Sequence, residues 1–172
     1  MSLLQEWPDE VFYGCVFCRT TREKSVALAL EELSLGIKAT AVSQLKHKSE
    51  LGRKFTELSV LLPGYVFFQS EVDFPTDAIH VPNVIRLLKN IEGTWHLRGS
   101  DRSFAEFVFE HNGILGLSKV RNLGEKVTIT DGPLKSMEGK IIKIDRRNRN
   151  GLVELQFDDR IWRVWLAFEY VE

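Results

Sequence analysis

The chain has 172 residues, 44% of them apolar, and a formal net charge of −1, which allows one medium domain or two small ones with a real core. No run approaches the roughly 18–20 apolar residues of a membrane span, and Met1 to Glu10 is acidic without an apolar h-region, so a cytoplasmic, membrane-free setting is expected. A balance this near neutrality excludes a polycation, and charged partners would be met by local patches.

Phe12 to Cys18 opens the pattern as a strand too continuously apolar for a sheet edge. Its Cys15 and Cys18 are the only cysteines. Three apart in a strand, they face opposite ways and read as small core residues, with no second pair to complete a zinc site. Thr20 stands at capping-box spacing from Glu23, and Val26, Leu30 and Leu33 follow at helical spacing. A helix over about 21–35 is predicted, ended by Gly36. Ile37 to Val42 reads as a second strand.

Gln44 to Lys54 gathers five basic or imidazole groups around Glu50. It reads as a polar, cationic hairpin tip, whose Lys46, Lys48, Arg53 and Lys54 are candidate nucleic-acid contacts made by point charge. Phe55 to Leu62 leads back to the sheet. Pro63-Gly64 is a strong turn signal, and Tyr65-Val66-Phe67-Phe68 after it reads as a central strand. Alternation sets Tyr65 and Phe67 on one face and Val66 and Phe68 on the other. Phe74 to Ile79 is expected as a short helix, Val84 to Leu88 as a strand, and Ser103 with Glu106 as the start of a helix running to Gly113. This order predicts an α+β domain, helices lying on one face of a mostly antiparallel sheet. Two short helices would cover that sheet incompletely, leaving the Tyr65/Phe67 face partly open to a partner.

Residues 116–122 read as a linker between domains 1–115 and 123–172. Beyond it short strands recur: Glu125 to Thr130, Gly139 to Asp145, Leu152 to Phe157 and Ile161 to Leu166, with turns at Asp131-Gly132-Pro133, Arg146 to Gly151 and Asp158-Asp159. Such spacing predicts a small β-barrel. Residues 1–115 hold 12 Lys/Arg against 15 Asp/Glu, and 116–172 hold 11 against 9. Within 135–149, Lys135, Lys140, Lys143, Arg146, Arg147 and Arg149 meet only Glu138 and Asp145. This patch supplies guanidinium forks and amides suited to phosphates and base edges.

The chain resembles the NusG family of transcription elongation factors, in which an NGN domain precedes an SH3-like barrel carrying a KOW motif. Leu62-Pro63-Gly64-Tyr65-Val66-Phe67 carries the resemblance in the first block. Leu123-Gly124-Glu125-Lys126-Val127, Gly132-Pro133-Leu134, Glu138-Gly139-Lys140 and Ile144-Asp145-Arg146-Arg147 carry it in the second. The resemblance implies an NGN domain that docks the clamp helices of RNA polymerase, with Tyr13, Leu62, Tyr65 and Phe67 falling on the docking pocket by position. The basic barrel is most similar to that of LoaP-type paralogues, which implies antitermination and recognition of a structured leader RNA. In housekeeping members the barrel binds the termination factor Rho or a ribosomal protein instead. A KOW protein that binds RNA or the ribosome without polymerase is a further alternative. His80-Val81 stands where many members carry Asn-Thr before the proline, and Ser136 where a glycine is common. The former pair is where some members read the non-template DNA strand, and sequence-specific reading of that strand is not expected of this chain.

No phosphate-binding Gly-rich loop, nucleophile elbow or His pair at ligand spacing occurs. No enzyme activity, cofactor or metal is expected, and the protein is expected to be a monomer.

Overall fold

The structure, a computed structural model, describes residues 11–33, 36–71 and 76–172. In chain order its first elements are β1 (Phe12–Cys18), α1 (Glu23–Glu32), β2 (Ile37–Thr40), β3 (Ser43–Glu50), β4 (Arg53–Val60), β5 (Tyr65–Ser70), β6 (Val84–Leu87) and α2 (Gly99–Glu110). There follow β7 (Ile114–Leu115), β8 (Ser118–Leu123), β9 (Lys126–Asp131), α3 (Pro133–Ser136), β10 (Ile141–Asp145), β11 (Asn150–Phe157) and β12 (Arg160–Val171). The mixed α+β content agrees with the expected class. Two compact units divide the chain: Met1–Ala41 with Pro63–Glu106, and Val42–Leu62 with Phe107–Glu172.

The first unit is built on a sheet of order β2-β5-β1-β6. The two most apolar runs, β1 and β5, lie inside it as an antiparallel pair. One face carries Val16, Cys18, Val66 and Phe68, packed with Val26, Ala27 and Leu30 of α1 in a buried cluster. Gly14 sits opposite Phe68 in the ladder, and a Cβ there would lie 2.2 Å from the Phe68 ring, so glycine makes room for the aromatic. On the other face Cys15 pairs with Phe67 and Phe17 with Tyr65. The expectation of an open aromatic face is corrected here. Tyr65 and Phe67 are both buried, with Phe104 of α2 edge-on to Phe67 at 5.6 Å between centroids and Phe17 tilted over Tyr65 at 5.1 Å.

The capping box at Thr20 and Glu23 does not form. No side chain caps α1 at Arg22; Glu23 is buried, and its carboxylate accepts the Gly64 N–H at 2.9 Å. Helix α1 ends earlier than expected, at Glu32 with Leu33 as its right-handed C-cap, so Gly36, at φ +90°, is not the residue that ends it. The expected helix at Phe74 to Ile79 is a 3-10 turn over Thr76–His80, and Phe74 and Pro75 lie outside the described residues.

The second unit holds the β3–β4 hairpin, extended by β7 into the order β4-β3-β7, and a five-stranded sheet of order β10-β11-β12-β8-β9. Residues expected to form a linker instead make strand β8, whose Ser118 is buried. Ser118 Oγ accepts the Leu134 N–H at 2.9 Å, which anchors the turn after β9. Gly132 in that turn has φ +95°, and a Cβ on it would reach Ser118 Cα at 2.5 Å. The strand expected from Gly139 starts at Ile141, because α3 and a 3-10 turn over Glu138–Lys140 take up the preceding residues. The final strand is longer than expected. Arg160 to Ala167 pairs antiparallel with β11, and Phe168 to Val171 pairs parallel with β8. Its core is Leu134, Val153, Leu155, Phe157, Leu166 and Phe168.

Candidate nucleic-acid interface

The hairpin of the second unit turns at Leu51-Gly52, both at positive φ (50° and 78°). Such a two-residue turn matches the twist of its strands, and eight paired residues on each side extend it by about 27 Å at ~3.4 Å per residue. The expected hairpin is therefore present, as a long two-stranded ribbon. Across it Ser49 faces Lys54, Lys48 faces Phe55 and His47 faces Thr56. His47 Nε2 lies 2.8 Å from the carbonyl oxygen of Phe168 in β12. A carbonyl only accepts, so this nitrogen carries the proton, and the bond ties the ribbon to the end of the sheet.

The turn from β10 to β11 is held from within. The Asp145 carboxylate accepts the Asn148 N–H at 3.0 Å and its side-chain amide at 2.8 Å. These bonds, the backbone one foremost, hold the Asp145 carboxyl below its ordinary value. Arg149 takes φ +55°, and its carbonyl accepts the Phe168 N–H at 2.9 Å. A strained left-handed residue persists where its surroundings over-determine it.

Ribbon and turn enclose an open hollow of about 610 Å³, lined by His47, Lys48 and Lys54 from one side and Arg147, Asn148 and Arg149 from the other. Lys46 faces a smaller neighbouring hollow of about 400 Å³ with Asp145 and Trp165. Arg53 lies toward the tip, in a third hollow with Glu50 and Phe55.

The six basic residues expected to act together are thus separated. Arg147 and Arg149 line the main hollow. Arg146 turns away: its guanidinium donates to Asn122 Oδ1 and the Gly124 carbonyl, both at 2.6 Å, and to the Glu125 carbonyl at 3.4 Å. It serves as a clamp on the β8–β9 turn. Lys135 pairs with Glu138 at 3.0 Å, and Lys140 and Lys143 are exposed near the start of β10. Phe55 and His47 escaped the sequence reading as site residues. Only their place opposite residues far along the chain marks them.

In the first unit, Tyr13 is half-buried beneath the Arg102 guanidinium, 5.3 Å from the ring centroid. Tyr65 and Phe67 are interior; Leu62, assigned to the other unit, is fully buried. Val81, at the position where family resemblance would place a DNA contact, is buried in the α1-side cluster. The unit also has a largely apolar hollow of about 740 Å³ beside Ile79, Arg86 and Trp95. Among the described residues, no group of His, Cys, Asp and Glu could hold a metal ion, and no helix is long and apolar enough to cross a membrane.

A solved structure of NusG from Thermotoga maritima, concerned with domain interaction in that protein, is similar to this chain with a TM-score of 0.50. The two are 19% identical, over 93% of this chain and 95% of the other. The likeness is one of fold. No protein-family model and no curated protein matches the sequence.

Proposed function

We propose that the chain is a NusG-like regulator of transcription elongation that promotes processive antitermination, its first unit meeting RNA polymerase and its second contacting structured RNA. The observation that supports this most is the fold likeness to a NusG over nearly the whole of both chains. In this reading the first unit is the NGN domain and the sheet β8–β12 the KOW domain, in which the parallel end of β12 joins β8 to the β10–β12 strands. The protein works by binding, without catalysis or a cofactor.

The polymerase clamp helices are met through the aromatic side of the first unit. Tyr13 lies on that surface, while Tyr65 and Phe67, being buried, shape it from beneath. The RNA falls to the basic hollow of the second unit, with Arg147 and Arg149 in place of the full set expected from sequence. The gathering of Arg147 and Arg149 with Lys48 and Lys54 about one hollow supports an RNA-reading factor of the LoaP kind over a general NusG whose barrel binds Rho or a ribosomal protein.

The test is transcription in vitro through consecutive intrinsic terminators, with purified bacterial RNA polymerase and the full-length protein. Increased read-through together with co-elution with polymerase is expected. Absence of co-elution would overturn the polymerase reading. Co-elution without a gain in read-through would return the chain to a general elongation role.

A further inference from the structure

The hollow between the β3–β4 ribbon and the β10–β11 turn has two walls, and their chemistry differs from that of a basic turn alone. Lys48 and Lys54 stand on the ribbon, Arg147 and Arg149 on the turn, and Glu169 is the carboxylate among the lining residues. Four cations face one carboxylate in the lining, and Lys48 also meets Glu57 at 3.9 Å, so the local balance is +2 in a chain whose formal charge is −1. The nearby Asp145 is engaged by Asn148.

Both walls are fixed before any ligand arrives. His47 holds the ribbon to the Phe168 carbonyl, and the adjacent Phe168 N–H holds the turn at Arg149. One residue of β12 therefore sets the spacing of the two walls. Positions fixed in advance lower the ordering cost of binding.

Phe55 supplies the third feature. It borders the hollow, is 38% exposed, and shares one face of the ribbon with Lys48, opposite the face that carries Lys54 and His47. An aromatic face amid cations suits an unpaired base with its phosphates, whereas in a duplex the base faces are already stacked on one another. Asn148, which can donate and accept, stands on the opposite wall for base edges.

We propose that ribbon and turn form one clamp for an unpaired RNA segment, such as the loop of a stem-loop. Phosphates rest on Lys54, Arg147 and Arg149, and the segment passes over the free edge of β4 so that a base stacks on Phe55 beside Lys48. This rests on the RNA-contact reading above and deepens it, by adding a second wall far from the turn in sequence and by naming the strand state that is bound.

The experiment is a fluorescence-anisotropy titration of the full-length protein at several salt concentrations. The probes are a labelled RNA stem-loop with a ten-uridine loop and a blunt RNA duplex of the same stem. The stem-loop is expected to bind at least about tenfold more tightly, because only its loop offers unstacked bases. K54E on one wall and R147E on the other are each expected to weaken stem-loop binding by about tenfold and to flatten its salt dependence. F55A is expected to weaken the stem-loop and leave the duplex unchanged. Matching thermal midpoints for the three variants and the parent show that the fold is kept, all three side chains being at the surface. If K54E and F55A bind as the parent does while R147E does not, the two-walled clamp is overturned and RNA contact by the turn survives. Equal affinity for duplex and stem-loop also overturns it. If the parent binds neither probe, the RNA reading itself falls, and the clamp with it.

Discussion

The backbone N–H of Gly64 donates to the buried carboxylate of Glu23 across 2.9 Å. This bond joins the turn that launches β5 to the first turn of α1, and so couples the two sides of the first unit's core. Glu23→Ala removes the acceptor and leaves the N–H unsatisfied, a loss of about 1.5–3 kcal/mol for a bond to a charged group. Glu23→Gln keeps an oxygen in place and should cost less. Urea unfolding curves check the order; equal midpoints for the parent and Glu23→Ala would contradict it.

Gly64 itself resists substitution for two reasons. Its φ is +89°, and a Cβ would stand 2.5 Å from the Phe17 ring and 3.1 Å from the Cys18 carbonyl. Gly64→Ala should destabilise by at least about 2 kcal/mol, from backbone strain and overpacking together. A second change, Phe17→Leu, should recover only part of the loss, since the φ strain remains. Full recovery in thermal melts would show that the clash alone matters.

The Cys18 thiol is pushed up from its ordinary 9.0 to about 11, by burial first and by the Glu23 charge second. The folded chain holds this proton more tightly than the unfolded chain does. Its contribution to stability is therefore complete below pH 9 and is lost as pH rises toward 11. Unfolding free energies of the parent should fall across that window more steeply than those of Cys18→Ala. At pH 8, alkylation of Cys18 should proceed only at the rate of unfolding, since the thiolate is the reacting form.

Adjacent arginines should separate stability from binding. Arg146→Ala removes three hydrogen bonds to the β8–β9 turn and should lower stability by about 1 kcal/mol, allowing for exposure. Arg147→Ala should leave the melting curve unchanged and weaken RNA binding. The reverse pattern would mean that the two guanidiniums exchange roles in solution.

Much of the first unit was legible in the sequence because local signals agreed. Pro63-Gly64 followed by an unbroken apolar run marked β5 as interior, and alternation sorted Val66 and Phe68 to the helix-covered side. What escaped was decided over distance. Phe104 closes over Phe67 from α2, 37 positions along the chain, and no periodicity within either element says so. The Thr20/Glu23 spacing fits a capping box, yet the Glu23 carboxylate found a partner in a loop far downstream. Gly116 and Ser118 look like loop punctuation, whereas Ser118 is the buried acceptor for Leu134. In the candidate site, Arg146 and Arg147 are equivalent as sequence. Only the fold lays one on the β8–β9 turn and leaves the other on the hollow.

The tie between His47 and Phe168 spans 121 positions, and this imposes a schedule on synthesis. At about 5–20 residues per second, roughly 6–24 s pass between the appearance of His47 and that of its acceptor. The β5 strand of the first unit is made early in that interval, so the ribbon must wait as a pendant hairpin while its neighbours in sequence assemble. Its dense Lys and Arg content keeps such an exposed strand pair from joining other chains during the delay. The charges proposed to hold RNA on this ribbon also protect it while the ribosome finishes the chain.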